Sequence, residues 1–104
     1  MRRGALAFLV VVSASCAGAP PKTVSMACDN PSNPKDSPSF VIDNVGSRVV
    51  GAVQMWNFSA AKIEWLDDKG YNYSFDPQTK QLHRVYPRLN IGYLFDCHAT
   101  AQTY

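Results

Sequence analysis

The groups able to do chemistry in this chain are few: three cysteines, two histidines, one glutamate and seven aspartates among 104 residues. His83 and His98 could each act as a proton acceptor or donor near neutral pH. Ser74, Asp76 and His83 lie close enough in sequence to suggest a nucleophile, a carboxylate and a base. A serine nucleophile needs a strained turn to expose it, however, and Ser74 sits inside an alternating run. Ser, Asp and His on the polar face of a strand are the simpler reading. Paired-carboxylate chemistry has only Glu64 and aspartates in loops to draw on. Cys97-His98 would need further ligands at metal-finger spacing, and the chain contains no Cys-x-x-Cys. These residues predict no catalytic constellation, no metal site and no cofactor.

The cysteines carry more. Met1-Arg2-Arg3 is followed by the uncharged run Gly4 to Val12 and then by the small residues of Ser13-Ala14-Ser15-Cys16-Ala17-Gly18. A basic start, a short apolar stretch and a small-residue cleavage zone predict a signal peptide over residues 1–15. The apolar stretch is far short of the roughly 20 residues that cross a bilayer as a helix, and no later segment supplies them. Three cysteines in an exported chain leave one unpaired. If Cys16 is lipidated, or is lost with the leader, Cys28 and Cys97 remain as one pair. Their bridge would close a loop of about 70 residues and contribute on the order of 4 kcal/mol. Ser13-Ala14-Ser15-Cys16 resembles the bacterial lipobox, with Ser13 where that signal usually has Leu. The resemblance implies an acyl group on Cys16 and a protein held at the cell envelope, in the periplasm or at the outer membrane; the alternative is a secreted, freely soluble form.

The formal net charge of +2 belongs to Arg2 and Arg3. Residues 16–104 carry eight Lys and Arg against eight Asp and Glu, so the exported chain is neutral. A nucleic-acid partner would call for a concentrated basic footprint, which is missing. The 89 residues left after the leader suffice for one small domain, for which a disulfide supplements a limited core.

The elements that must position these groups divide into two parts. Residues 16–39 hold Pro20, Pro21, Pro31, Pro34 and Pro38 among Asn, Ser, Asp and Lys, and read as a lipid-attached tether. From residue 40 to 104 short apolar or alternating runs separated by turn signals predict an all-β domain. Its strands are expected at Phe40 to Val45, Arg48 to Trp56, Lys62 to Leu66, Tyr71 to Asp76, Gln81 to Tyr86 and Asn90 to His98. Gly51 reads as a bulge or a close backbone approach within the second of these rather than a break. Asp67-Asp68-Lys69-Gly70 and Asp76-Pro77-Gln78-Thr79-Lys80 read as hairpin loops. On the last strand Ile91, Tyr93, Phe95 and Cys97 share the face assigned to the core. The expected architecture is a small antiparallel meander of five or six strands, a sandwich or an open barrel, with one terminal disulfide.

Aromatic side chains default to the core. Trp56 and Phe58, at a strand end, are the expected exception, and with the loop carboxylates Asp67 and Asp68 they make the candidate binding surface. The reading that follows is an exported, envelope-associated lipoprotein with a binding or structural β domain rather than an enzyme. Its partners would be the membrane, through the lipid, and an envelope or secreted protein. The small β domain, the signal and the terminal disulfide also resemble the lysozyme-inhibitor lipoproteins, although the Ser-Gly-x-x-Tyr loop of that family is absent. That resemblance implies inhibition of a cell-wall-degrading enzyme through a protruding loop, Asp67 to Gly70 or Asp76 to Lys80.

Overall fold

The computed structural model describes residues 19–104; Cys16 and the leader lie outside them. Eight strands follow in order: β1 (Thr23–Asp29), β2 (Ser39–Asp43), β3 (Arg48–Val49), β4 (Gln54–Phe58), β5 (Ile63–Leu66), β6 (Asn72–Asp76), β7 (Gln81–Tyr86) and β8 (Ile91–Thr103). They form one antiparallel sheet in the order β3-β2-β1-β8-β7-β6-β5-β4. Because β1 pairs with β8, the meander curls into a nearly closed barrel whose seam lies between β3 and β4. Across that seam the Val49 N–H reaches Met55 Sδ at 3.4 Å.

The all-β meander and the disulfide match the sequence reading; the strand count of five or six does not. One additional strand is β1, inside the segment read as a tether. Val24, Met26 and Cys28 alternate with Ser25 and Ala27, and Met26 and Cys28 are buried. The prolines that suggested a tether flank this strand rather than interrupt it, so the sheet starts at Thr23 instead of Phe40. The other comes from the run Arg48 to Trp56, which breaks at Gly51. That glycine adopts φ 86°, and the Ala52 N–H bonds the Val49 carbonyl at 3.1 Å. It is therefore a turn residue and not a bulge within a continuous strand.

The hairpin loops form as their residues dictate. Asp67 Oδ1 accepts the N–H groups of Lys69 and Tyr71, each at 2.9 Å, and Gly70 adopts φ 86°. Asp76 Oδ1 accepts those of Gln78 at 2.8 Å and Thr79 at 3.3 Å, which hold its carboxyl below the ordinary range. Asn90, with φ 52°, closes the β7–β8 turn in a conformation that asparagine tolerates.

Rings fill the middle of the barrel. Phe40 from β2 meets Trp65 of β5 and Phe75 of β6, both at 5.1 Å between centroids, and Trp65 stacks on Tyr73 at 5.0 Å. Leu82 and Phe95 complete this layer and are essentially solvent-free.

Cys28 and Cys97 are direct cross-strand partners, bridged with Cα atoms 3.9 Å apart. Their N–H groups point away from each other, Cys28 to the Pro38 carbonyl at 2.9 Å and Cys97 to the Lys80 carbonyl at 2.8 Å. Facing residues with outward backbone groups form a non-hydrogen-bonded pair, the type that brings side chains closest. The bridge thus joins adjacent strands.

Candidate functional site

The ring layer separates the barrel into two ends. At one end β1 begins and β8 finishes, joined by the Lys22 N–H to the Thr103 carbonyl at 2.7 Å, with the Asn44 amide donating to the Pro21 carbonyl at 2.8 Å. The opposite end carries the β1–β2 loop, the β5–β6 loop and the β7–β8 turn. The two hairpin loops considered as protruding elements fall at opposite ends: Asp67 to Gly70 at the far end, and Asp76 to Lys80 beside the chain's start.

At the far end, Arg84 of β7 points inward and is 8% exposed. Its guanidinium carbon lies 4.8 Å from the centre of Phe95, 5.2 Å from Tyr86 and 6.0 Å from Tyr71. Nη2 donates to Asp36 Oδ2 at 2.6 Å, and Nε has no partner. Burial opposes the charge, but the hydrogen bond and charge of Asp36 outweigh it, so the pKa of Arg84 is raised. Asp36 is brought there by the β1–β2 loop, which is folded on Asn30: its Oδ1 accepts from Ser32 at 2.9 Å, its carbonyl from Asn33 at 3.1 Å. Arg84 is therefore neutralised by its own chain and acts as a bolt holding that loop onto the barrel.

Beside it the Tyr73 hydroxyl donates to Asp67 Oδ2 at 3.0 Å, and burial followed by that hydrogen bond raises the phenol to about 12. Tyr71 and Tyr86 touch at 4.3 Å and Tyr86 and Tyr93 at 5.6 Å. A cleft of 460 Å³ opens between Lys69, Tyr71, Tyr86 and Arg88; a second, of 570 Å³, lies on the other side of Tyr86 along the β1–β2 loop.

Above these clefts the β7–β8 hairpin exposes Leu89 at 65%, Ile91 at 41%, Tyr93 at 41% and Leu94 at 60%. Ile91 and Tyr93 share the inner face with Phe95, as the alternation predicts, but they are not buried. β1 pairs with β8 only from Asp96 onward, whereas β7 pairs with it from Ile91 to Asp96. The tip of the hairpin therefore extends past β1, and no strand lies beside β8 on that edge from Ile91 to Phe95. Apolar side chains on a projecting hairpin next to an open strand edge are what a protein-binding surface requires.

The expected binding surface is dispersed. Trp56 is 59% exposed on the outer wall, its indole N–H donating to Asn72 Oδ1 at 3.1 Å. Phe58 is half-buried against the core. A register shift between Met55 and Asn57 inserts one extra residue, so two aromatics that simple alternation would place together end on opposite sides of the wall. Asp67 is occupied with its turn and Tyr73, and only Asp68 is free at the surface. Ser74 is paired with His83 on neighbouring strands, but no hydrogen bond joins Ser74, Asp76 and His83. His83 instead lies against Gly92, where a Cβ would come within 2.5 Å of Nε2. Among the described residues no three His, Cys, Asp or Glu side chains gather as metal ligands.

The hairpin tip was hidden from sequence reasoning because Ile91 and Tyr93 alternate in phase with the buried Phe95 and Cys97. The one available signal was Pro87-Arg88-Leu89-Asn90, a turn carrying an apolar residue with nothing local to bury it. No family model, curated protein or solved structure matches this chain.

Proposed function

We propose that the chain is an exported lipoprotein of the bacterial envelope, attached through Cys16, whose barrel is a protein-binding module rather than an enzyme. The observation that carries the reading is the position of the β7–β8 tip relative to the chain's start. Thr23 enters the barrel at one end, seven residues after Cys16, while Leu89, Ile91 and Tyr93 project at the other. Attachment at Cys16 then directs the tip away from the membrane, where an envelope or secreted partner can reach it. The same geometry favours a second reading, inhibition of a cell-wall-degrading enzyme, because the projecting turn Pro87–Asn90 and the loop Asp67–Gly70 stand at that outer end with clefts between them.

Two measurements test the reading. In fractionated cells the full chain is expected with the membranes and its Cys16→Ser variant in the soluble fraction; equal partitioning removes the anchor. Capture from envelope extract by the full chain is expected to lose its specific partner on Leu89→Asp with Leu94→Asp. If what is captured is a wall hydrolase and the wild type slows its lysis of cell walls, the inhibitor reading stands.

A further inference from the structure

The end of the barrel where the chain enters is open and apolar. Its cavity measures 550 Å³, within the roughly 300–1,000 Å³ of small-molecule sites. The floor is Met26, Ile42, Ile63 and Phe75, each 6% exposed or less, and Val24, Phe58 and Ala99 form the walls. Side-chain size explains the vacancy. Ala99, opposite Met26, faces the mouth where a larger residue would narrow it, whereas Phe95, four residues earlier on the same face of β8, fills the ring layer. Eight strands give an interior that large side chains just fill and that small ones leave able to hold one ligand.

The rim carries one lysine among neutral polar groups. Lys80, in the left-handed region with φ 64°, lines the mouth and anchors its Nζ on the Pro77 carbonyl at 3.0 Å. Lys22 precedes β1 at the same end, while Lys62 lies on the outer wall beside Glu64. Of the carboxylates there, Asp43 pairs with Arg48 at 3.4 Å and caps Val45 and Gly46, and Asp76 accepts from Gln78 and Thr79. Neither carboxylate makes an ion pair with Lys80, whose charge is felt by Asp76 but whose ammonium stays free to meet an anion at the mouth.

We infer that this mouth binds a single acyl chain bearing an anionic head group, the chain resting on Met26, Ile42 and Phe75 and the head group at Lys80. The inference is independent of the partner reading, which concerns the opposite end. The purified full chain, with its disulfide formed, is titrated with a fluorescent polyene fatty acid and then with palmitate. Saturable one-to-one binding that palmitate displaces is expected. Ala99→Phe, which fills the lumen, should weaken it by about tenfold or more, Lys80→Glu by a few fold, and Leu89→Asp not at all. Absence of saturable binding, or an Ala99→Phe variant that melts like the wild type and binds equally, overturns the inference. Should Ala99→Phe fail to fold, a photoreactive fatty acid on the wild type decides: labelling at Met26, Phe58 or Ala99 supports the site, and labelling only elsewhere overturns it. Vesicles of phosphatidylcholine and phosphatidylglycerol separate a free amphiphile from a bilayer. Adhesion that depends on Lys22 and Lys80 but not on Ala99, without displacement by palmitate, would place the contact on the rim and refute the cavity.

Discussion

The two ends of this barrel are built from the same strands and finished in opposite ways. The far end is plugged with polar and aromatic groups: Arg84 bolted to Asp36, Tyr73 to Asp67, and three tyrosines in contact. The end at which β1 begins is left hollow, with the small Ala99 of β8 on its wall. A buried ion pair adds little net stability over an apolar plug of equal size, yet breaking it by removing one partner is strongly unfavourable. What the plug provides is placement of the β1–β2 loop, and with it the open edge of β8. The hollow end gains no such order and keeps space instead.

The largest expected effect is on what the two ends share. Replacing Cys28 and Cys97 together by alanine should lower stability by about 4 kcal/mol, read as a shift in the urea midpoint. Native-state hydrogen exchange should show β1 opening along with both ends. Exchange confined to the far end would mean that the ends are uncoupled.

Next comes a variant that attacks the plug alone. Arg84→Ala leaves Asp36 without its cation and the tyrosines without their central charge, which should cost about 2–3 kcal/mol; Asp36 is 31% exposed and can rehydrate, which keeps the loss below that of a fully buried pair. Protection of the β1–β2 loop should fall while the hollow end is unchanged.

A smaller, pH-dependent term belongs to Tyr73. Its folded pKa of about 12 lies above the ordinary 10.0, so the fold favours the protonated phenol. The contribution is intact below pH 10 and is lost as the pH rises from 10 towards 12. The full equivalent is about 2.7 kcal/mol, and partial exposure reduces it to about 1 kcal/mol. Phenolate absorbance should show one of the tyrosines titrating late, and Asp67→Asn should bring it earlier.

The smallest effect on stability is expected at the tip. Leu89→Asp and Leu94→Asp should each change it by only about 0.5 kcal/mol, because neither side chain is buried. Their effect belongs in partner capture, and a large drop in melting temperature would show that the tip packs on the barrel after all.

Much of the hairpin pattern could be read in the sequence. Gln81 to Tyr86 forms the strand its alternation predicts, and the loops beginning at Asp67 and Asp76 are made by the carboxylates that signalled them. Cysteine parity foresaw the bridge. What escaped was set by neighbours rather than by local pattern. Val24, Met26 and Cys28 alternate plainly, but composition averaged over the prolines around them masks a central strand. Trp56 and Phe58 are parted by a single inserted residue, which no periodicity reveals. Ile91 and Tyr93 are exposed because β1 stops short of them, and a strand carries no record of how far its partner reaches.

The shared strand β8 also fixes how the molecule bears a load. A pull between the N-terminal segment and the hairpin tip enters through β1 on one side and β8 on the other, and would slide these two antiparallel strands lengthwise past each other. The Cys28–Cys97 bond spans that pair just below the point where the strands part. Tension therefore runs from the tip down β8 to Cys97, across to Cys28, and along β1 to Thr23 through covalent bonds alone, and the barrel itself is bypassed.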